Sequence, residues 1–429
     1  MRHYRWLPLR LLGVIVLIVL ALAGWAYWRD RPPSGEPMDE RVTRNEEFLT
    51  NDIIAAAIDA STQARTKLID ETRKPGLTPP TSAATNPGYS PYHYTRDAHA
   101  KGHGCVLASF TVNKQVDTRF AFGIFDGAAL HKYQYDALIR FSSGNPDSYP
   151  DSHKDVRGMA IKLLDVPGTK LMPTDEDGKT QDFVLMNNPI FFIRTLEGYA
   201  DLNRMLAAGH VYWYFLPPLN IFGRNIPYAN IASAHMRELL LASFAQKARP
   251  NSLVTSRFWS GSAYSLGPSQ YAKYSVLPCK ENKPASGVDK SNPDYLRLEL
   301  AKQSEKGGAC YEFAVQLQVQ GKKMPVEDTT VEWKESDSPF VPLARIVIKA
   351  GPNNTEAMNE QCENTAFNPW HSLVDHKPVG VMNRVRQPLY QAMSRFRQQH
   401  NCSVSCDTTC NGLHLPDNAC MAQDPQAEK

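Results

Sequence analysis

Two groups of residues carry side chains that could do chemistry. In the first, Arg96 precedes His99 by three residues, and an imidazole can accept and release a proton near neutral pH. In the second, Arg386 precedes Tyr390 by four residues, so on a helix the two side chains share a face. A guanidinium favours the deprotonated form of a neighbouring phenol, and a phenolate binds ferric iron. Each spacing alone also fits an ordinary structural role.

Four blocks of sequence together resemble the haem motifs of the catalase family, and they follow one another in that family's order. They are RDAHAKG at 96–102, RFS at 140–142, DFVLMNNPIFFIR at 182–194 and RQPLY at 386–390. The resemblance covers residues 92–401. It implies a haem protein that acts on peroxides.

The resemblance also implies a distal site above the haem. His99 would be the acid and base of peroxide cleavage, and Ser142 would hold the His99 ring and fix its tautomer. Asn187 would offer its amide to the bound peroxide, with Asn188 as the alternative. Phe192 would form part of the apolar wall.

On the proximal side, Tyr390 would ligate the iron of a b-type haem, and Arg386 would favour its phenolate. Guanidinium groups suit the two haem propionates, and the family's propionate clamps resemble Arg96, Arg140 and Arg397. Pro388 lies between Arg386 and Tyr390. Because a proline kinks a helix interior but suits a first turn, the geometry of this pair depends on where the helix begins.

The proximal region departs from typical catalases. FNPWHS at 367–372 and Tyr390-Gln391-Ala392 are more similar to a smaller, catalase-related branch that includes peroxidases and allene oxide synthases. Ala98 stands where catalases carry Val and those synthases carry Thr, which leaves room for a larger substrate. We expect breakdown of hydrogen peroxide, with an organic or lipid hydroperoxide as the alternative substrate. A haem carrier or sensor with little turnover is the other hypothesis.

Charge and cysteine content limit the class of protein. The net charge is +3, from 47 basic and 44 acidic residues, and no basic run indicates nucleic acid as a partner. Eight cysteines indicate disulfides in an oxidising compartment, and metal binding is the rival interpretation. A disulfide between Cys279 and Cys310 is one candidate, but the sequence does not determine the pairing. It also leaves the number of subunits open.

An unbroken apolar run covers residues 11–28 and follows Arg2, Arg5 and Arg10. At about 1.5 Å per residue it reaches roughly 27 Å, which is enough to cross a bilayer core. The preceding positive charge predicts a cytoplasmic N-terminus. We therefore expect a membrane anchor with the remaining chain on the periplasmic side. A signal peptide cleaved after residues 21–23 and secretion are the alternative.

The resemblance implies an α+β fold, an antiparallel β-barrel with flanking helices. Short strands between turn-rich segments agree with that fold. The sequence predicts strands over 106–112, 135–142, 157–164, 312–319 and 343–348, and a helix over 46–72. We expect an anchor (1–28), a linker (29–45), a helix with an irregular arm (46–91), a haem domain (92–401) and a Cys-rich tail (402–429).

Overall fold

The computed structural model of the chain describes residues 7–32, 38–42, 44–72, 94–172, 179–221, 223–305, 308–351 and 355–405. The expected irregular arm after the helix, and the three tail cysteines Cys406, Cys410 and Cys420, lie outside the described residues. The predictions made for them therefore stay predictions.

The centre of the molecule is an antiparallel β-barrel of eight strands, as the sequence predicted. The strands of the chain are β1 (Gly102–Val112), β2 (Gln134–Ser143), β3 (Arg157–Leu163), β4 (Gln181–Met186), β5 (Leu219–Ile221), β6 (Arg224–Ile226), β7 (Phe258–Trp259), β8 (Tyr264–Ser265), β9 (Tyr271–Pro278), β10 (Cys310–Leu317) and β11 (Val341–Ile348). The barrel order is β10-β11-β1-β2-β3-β4-β7-β9, and β9 pairs with β10 to close it. All five predicted strands lie in this barrel.

The strands form because their side chains alternate between the barrel interior and the exterior. In β1, Val106, Ala108, Phe110 and Val112 are buried, while the residues between them are partly or fully exposed. The Phe110 ring meets rings of other strands inside the barrel; its centroid lies 5.3 Å from that of Phe313. This apolar core fixes the register of the strands, and the predicted polar site residues, such as Ser142 and Asn187, lie at or just after strand ends.

Helices pack around the barrel. They are α1 (Leu7–Arg29), α2 (Glu46–Thr72), α3 (Leu196–Ala207), α4 (Val211–Phe215), α5 (Met236–Ala245), α6 (Tyr295–Glu305), α7 (Glu356–Asn364) and α8 (Val381–Ser405). The predicted helix over 46–72 is confirmed with the same bounds. Ile53 of α2, Ala200 of α3 and Leu389 of α8 belong to a second apolar core, which joins α8 to the other two helices.

The predicted apolar segment does form a helix, α1. Ala26 is fully buried, and Arg29 donates hydrogen bonds of 2.8 Å to the carbonyl oxygens of Ala232 and Ala234. Within the described part of the chain, no helix is both long and apolar enough to cross a membrane. The prediction of a membrane-spanning helix is thus not confirmed.

Two disulfides join distant segments. Cys279 pairs with Cys310, as the sequence suggested, and links the end of β9 to the start of β10. Cys105 of β1 pairs with Cys362 of α7 across 257 residues of sequence. That second pairing was not predicted, because cysteine spacing does not encode connectivity.

Candidate active site

One cavity brings most of the predicted site residues together. Its empty space, including the part open to solvent, is about 810 Å³. Six of the nine predicted residues line it: Arg96, His99, Ser142, Arg140, Tyr390 and Arg397. The walls come from the segment before β1, from β2 to β4, and from α3 and α8. Asn187, Phe192 and Arg386 are not among the lining residues.

His99 is held by its backbone and by its ring. Its N–H donates to the carbonyl oxygen of Gly144 at 3.1 Å, and its Nδ1 lies 2.9 Å from the Ser142 hydroxyl. Its φ of 60° is left-handed, which costs a non-glycine residue on the order of 1 to 3 kcal/mol. Burial, followed by the charges of nearby arginines with Arg140 first, lowers the pKa of His99 to about 3. The imidazole is therefore neutral near pH 7.

Gly158 makes room for this ring, and our sequence analysis did not identify it. Gly158 lies opposite Ser142 in the pairing of β2 with β3. A Cβ atom at Gly158 would lie 2.6 Å from both Cε1 and Nδ1 of His99, and 2.8 Å from the Ser142 hydroxyl oxygen. A glycine between two strand residues gives no local sign that a ring from elsewhere will pack on it.

Asn187 lies directly after β4. It exchanges two hydrogen bonds with Arg157: its backbone N–H donates to the Arg157 carbonyl at 2.8 Å, and its Oδ1 accepts from the Arg157 N–H at 2.7 Å. Oδ1 is thus occupied as an acceptor, and the side-chain NH₂ group can serve as a donor to a ligand. Its neighbour Asn188 donates to the Ile190 carbonyl at 2.6 Å instead.

Phe192 packs beside the second apolar core. Its ring centroid lies 4.9 Å from that of Phe191 and 6.0 Å from that of Phe215. An aromatic residue that does line the cavity is Tyr199 of α3, which our sequence analysis missed.

Arg386 and Tyr390 form the predicted pair on α8. Arg386 donates to the Tyr390 hydroxyl oxygen from Nε at 3.3 Å and from Nη2 at 3.0 Å. The helix begins at Val381, so Pro388 lies inside it and not in its first turn. The pairing survives the proline. Burial opposes the charge of Arg386, but the nearby phenols, Tyr390 first, raise its pKa above the usual value.

The three arginines predicted to clamp propionates lie together at one end of the cavity. They converge on Glu363 of α7, which our sequence analysis did not identify. Arg140 Nε donates to the Glu363 carboxylate at 2.8 Å, Arg96 forms an ion pair with it, and Arg397 Nη1 donates to its carbonyl oxygen at 2.7 Å. Burial opposes ionisation of Glu363, but the charges of Arg140 and Arg96 outweigh it and lower the pKa to about 2.

These residues fit a haem. Arg397 is 4% exposed, and within the described residues its Nε has no hydrogen-bond partner although it is buried. A buried guanidinium N–H without a partner needs an acceptor, and a propionate oxygen would supply one. Tyr390 lines the same cavity, and its hydroxyl is already oriented by a cation. The donor set therefore matches a ligand with an iron and carboxylates.

Comparison with known proteins agrees with this geometry. A family model described as Catalase matches residues 94–378, which is more than half of the chain. The chain belongs to the catalase family. Helix α8 lies beyond the matched residues, so the assignment of Arg386 and Tyr390 within this catalase-family chain rests on the motif and on the geometry described above.

Two curated relatives illustrate the similarity. A catalase-related peroxidase of Mycolicibacterium paratuberculosis is 28% identical over 230 residues, which cover 52% of this chain and 65% of that protein. A catalase of Drosophila melanogaster is 25% identical over 307 residues, which cover 66% of this chain and 54% of that one. The catalase-family chain thus spans between about half and two thirds of the length of these relatives.

Solved structures share the fold. Catalase A from Saccharomyces cerevisiae matches with a TM-score of 0.52 and 21% identity, covering 72% of this chain and 62% of that one. A fungal catalase matches with a TM-score of 0.52 and 19% identity, covering 72% and 60%. At these identities the likeness establishes the barrel with its flanking helices.

Proposed function

We propose that this catalase-family chain binds a b-type haem and breaks down hydrogen peroxide with it. When bound, the haem would supply the redox chemistry by which two peroxide molecules become two waters and one dioxygen. The observation that carries the proposal is that His99 and Tyr390 line one cavity, and that each is oriented by its own hydrogen-bond partner. The three arginines at the end of the cavity would hold the propionates.

His99 would move the proton. A neutral imidazole can take a proton from one peroxide oxygen and return it to the other, so that the departing oxygen leaves as water. The lowered pKa of His99 keeps the ring able to accept that proton. The contact with Ser142 orients the ring while it does so. In this proposal Asn187, through its side-chain NH₂ group, holds the peroxide beside His99.

Tyr390 would be the protein ligand to iron. A free phenol has a pKa near 10 and must lose its proton to bind as a phenolate. Arg386, with two hydrogen bonds to the Tyr390 hydroxyl, stabilises the negative charge. Phe192 would contribute to the apolar surroundings of the site.

Oxygen evolution tests the proposal. The full chain reconstituted with haem should release dioxygen from hydrogen peroxide, and His99→Ala should lower the rate by about 100-fold or more while the haem stays bound. His210→Ala is the control, since His210 is exposed and does not line the cavity. A haem-bound wild type that releases no oxygen would contradict peroxide disproportionation and favour a carrier or sensor.

A second substrate class is favoured by Ala98. This residue lines the cavity and is exposed within it, so its small side chain leaves space beside His99 for an alkyl group. If the substrate is an organic or lipid hydroperoxide, turnover of a fatty-acid hydroperoxide should exceed that of hydrogen peroxide. Ala98→Val should then reduce turnover of the larger substrate alone.

We also propose that the protein works on the periplasmic side of the membrane and that α1 attaches it to the membrane through its exposed apolar side chains. The two disulfides support an oxidising compartment. The exposed apolar side chains of α1, such as Leu17, Leu20 and Trp28, support membrane contact. Fractionation of cells that express the full chain tests both points. Recovery in the membrane fraction, with the barrel open to protease from outside, is expected, whereas recovery as a cytoplasmic protein would contradict them.

A further inference from the structure

Glu363 connects all three arginines of the predicted clamp. Its carboxylate accepts from Arg140 Nε at 2.8 Å and pairs with Arg96, and its carbonyl oxygen accepts from Arg397 at 2.7 Å. Its side chain is 26% exposed, whereas those of Arg96 and Arg140 are 14% and 4% exposed. Three guanidinium groups are therefore held close together, largely out of water, around one anion that belongs to the protein.

The helix that carries Glu363 is fixed in place. The Cys105–Cys362 disulfide joins the residue before Glu363 to β1. Arg96 Nη2 donates at 3.0 Å to the carbonyl oxygens of both Cys362 and Thr365. These bonds limit how far the carboxylate can move away from the arginines.

A glycine leaves space for the ion pair. A Cβ atom at Gly102 would lie 3.1 Å from Glu363 Oε1 and 3.5 Å from Arg140 Nη2. Gly102 is the first residue of β1, where the register of β1 against β2 is irregular. The strand end is thus shaped to accept the Glu363 carboxylate.

The charges indicate what this carboxylate does. Three arginines and one ionised Glu363 leave two positive charges, which two propionates would neutralise. Without the propionates, Glu363 is the carboxylate bound directly to Arg96 and Arg140. Asp97 also lies near Arg96 and Arg397, but burial raises the pKa of Asp97. This disfavours its charged form and makes it a poorer counter-ion than Glu363. Like charges that are buried together repel strongly unless they are compensated.

We propose that Glu363, held by the Cys105–Cys362 disulfide, is a positioning residue that keeps the three arginines compensated and in place before haem is loaded. This inference rests on the proposed haem site. Once haem is bound, the propionates take over most of the compensation, so Glu363 matters more to the haem-free protein than to the loaded one. The structure thereby links formation of a disulfide to readiness of the cofactor site.

The test compares unfolding midpoints of the full chain with and without haem. Glu363→Gln should lower the midpoint of the haem-free protein by about 5 °C and that of the loaded protein by less than about 2 °C. Haem should leave the variant no faster than it leaves wild type when apomyoglobin takes it up. Glu360→Gln is the control, because Glu360 is exposed on the same helix.

A disulfide comparison keeps the proposal testable if single variants fold poorly. Replacing Cys105 and Cys362 by Ser should destabilise the haem-free form more than the loaded form. Adding Glu363→Gln to this double variant should increase the difference between the two forms only slightly. Replacing Cys279 and Cys310 by Ser should affect both forms equally, since neither cysteine lines the cavity.

Two results would overturn the proposal. Equal losses in the haem-free and loaded forms of Glu363→Gln would show an ordinary structural ion pair. Faster loss of haem from that variant would show that Glu363 retains the bound cofactor. Absence of haem binding by wild type would instead contradict the proposed function, so the two failures are distinguishable.

Discussion

Arg386 donates two hydrogen bonds to the Tyr390 hydroxyl oxygen, at 3.3 Å and 3.0 Å, across a helical turn that contains Pro388. Pro388 has no N–H to donate to the carbonyl of Arg384, so the helix loses one backbone hydrogen bond there. Arg384 instead anchors the start of the helix through Glu40, Glu46 and Glu327, at 2.8 to 3.0 Å. The helix therefore keeps the pair aligned despite the proline.

Removal of the Arg386 guanidinium should weaken the binding of haem iron by Tyr390. In Arg386→Gln the Tyr390 oxygen loses the guanidinium that donates two hydrogen bonds to it, so the phenolate is less stabilised and its bond to iron weakens. We expect haem to dissociate about tenfold faster, as measured by its transfer to apomyoglobin. Arg395→Gln is the matched control, since Arg395 is exposed on the same helix. Equal rates for the two variants would argue against a role for Arg386.

A side chain at Gly158 should impair peroxide breakdown at His99 without releasing the haem. A Cβ atom there would clash with the His99 ring and with Ser142, so Gly158→Ala should displace the ring and slow peroxide breakdown about 100-fold with haem still bound. Ser142→Ala removes the hydrogen bond without adding bulk, and we expect a smaller loss. Oxygen evolution per bound haem measures both. A Gly158→Ala variant with wild-type activity would mean that the position of His99 is not limiting.

The low pKa of His99 predicts how the protein responds to acid. Peroxide breakdown should stay constant from about pH 7 to pH 5 and fall as the pH approaches about 3, where the ring protonates. An unfolded histidine has a pKa near 6.5, so the unfolded chain takes up a proton at higher pH than the native one. The stability contributed by neutral His99 is complete above pH 6.5 and is lost as the pH falls towards 3.

Urea unfolding tests the stability part of that prediction. His99→Gln should lose less stability than wild type between pH 6.5 and pH 4, because it lacks the titrating ring. An activity midpoint near pH 6.5 would contradict the neutral, buried environment assigned to His99.

The buried ion pair between Lys162 and Asp182 should contribute strongly to stability. Asp182 accepts from Lys162 Nζ at 2.9 Å and from the Asn368 N–H at 3.0 Å, and it lies 3.2 Å from His371 Nδ1. Asp182→Asn would remove the carboxylate that compensates the buried charge of Lys162, so we expect a loss of about 3 to 5 kcal/mol in the free energy of unfolding.

The surface offers a matched control for that change. Asp136 pairs with Lys349 at 2.7 Å, but their side chains are 69% and 48% exposed. Asp136→Asn should therefore cost less than about 1 kcal/mol. Denaturant unfolding measures the free energy of unfolding of both variants. Equal losses of that free energy would contradict the expectation that the buried pair contributes more than the exposed one.

Much of the fold follows from local sequence patterns. The strand of Val106 and Phe110 alternates with period two, and the helix around Ile53 repeats at helical spacing, so both were predictable. The motifs placed His99 and Tyr390 in one site because the resemblance supplied an arrangement that local patterns do not encode.

The contacts that were missed join residues far apart in the chain. Glu363 meets Arg140 across 223 positions, and Cys105 meets Cys362 across 257. Gly158 receives the ring of His99 from another segment. Such contacts depend on how the barrel closes and on where α7 docks. Neither feature leaves a periodic pattern in the sequence.

The absorption spectrum of the full chain mixed with haem tests the central claim most directly. We predict a high-spin ferric spectrum for wild type, and loss of that spectrum in Tyr390→Phe, which keeps the ring but removes the ligating oxygen. Tyr271→Phe serves as the control because Tyr271 does not line the cavity. A wild-type chain without a haem band, or a Tyr390→Phe variant with the wild-type spectrum, would contradict the assignment of this cavity as a haem site with Tyr390 as its ligand.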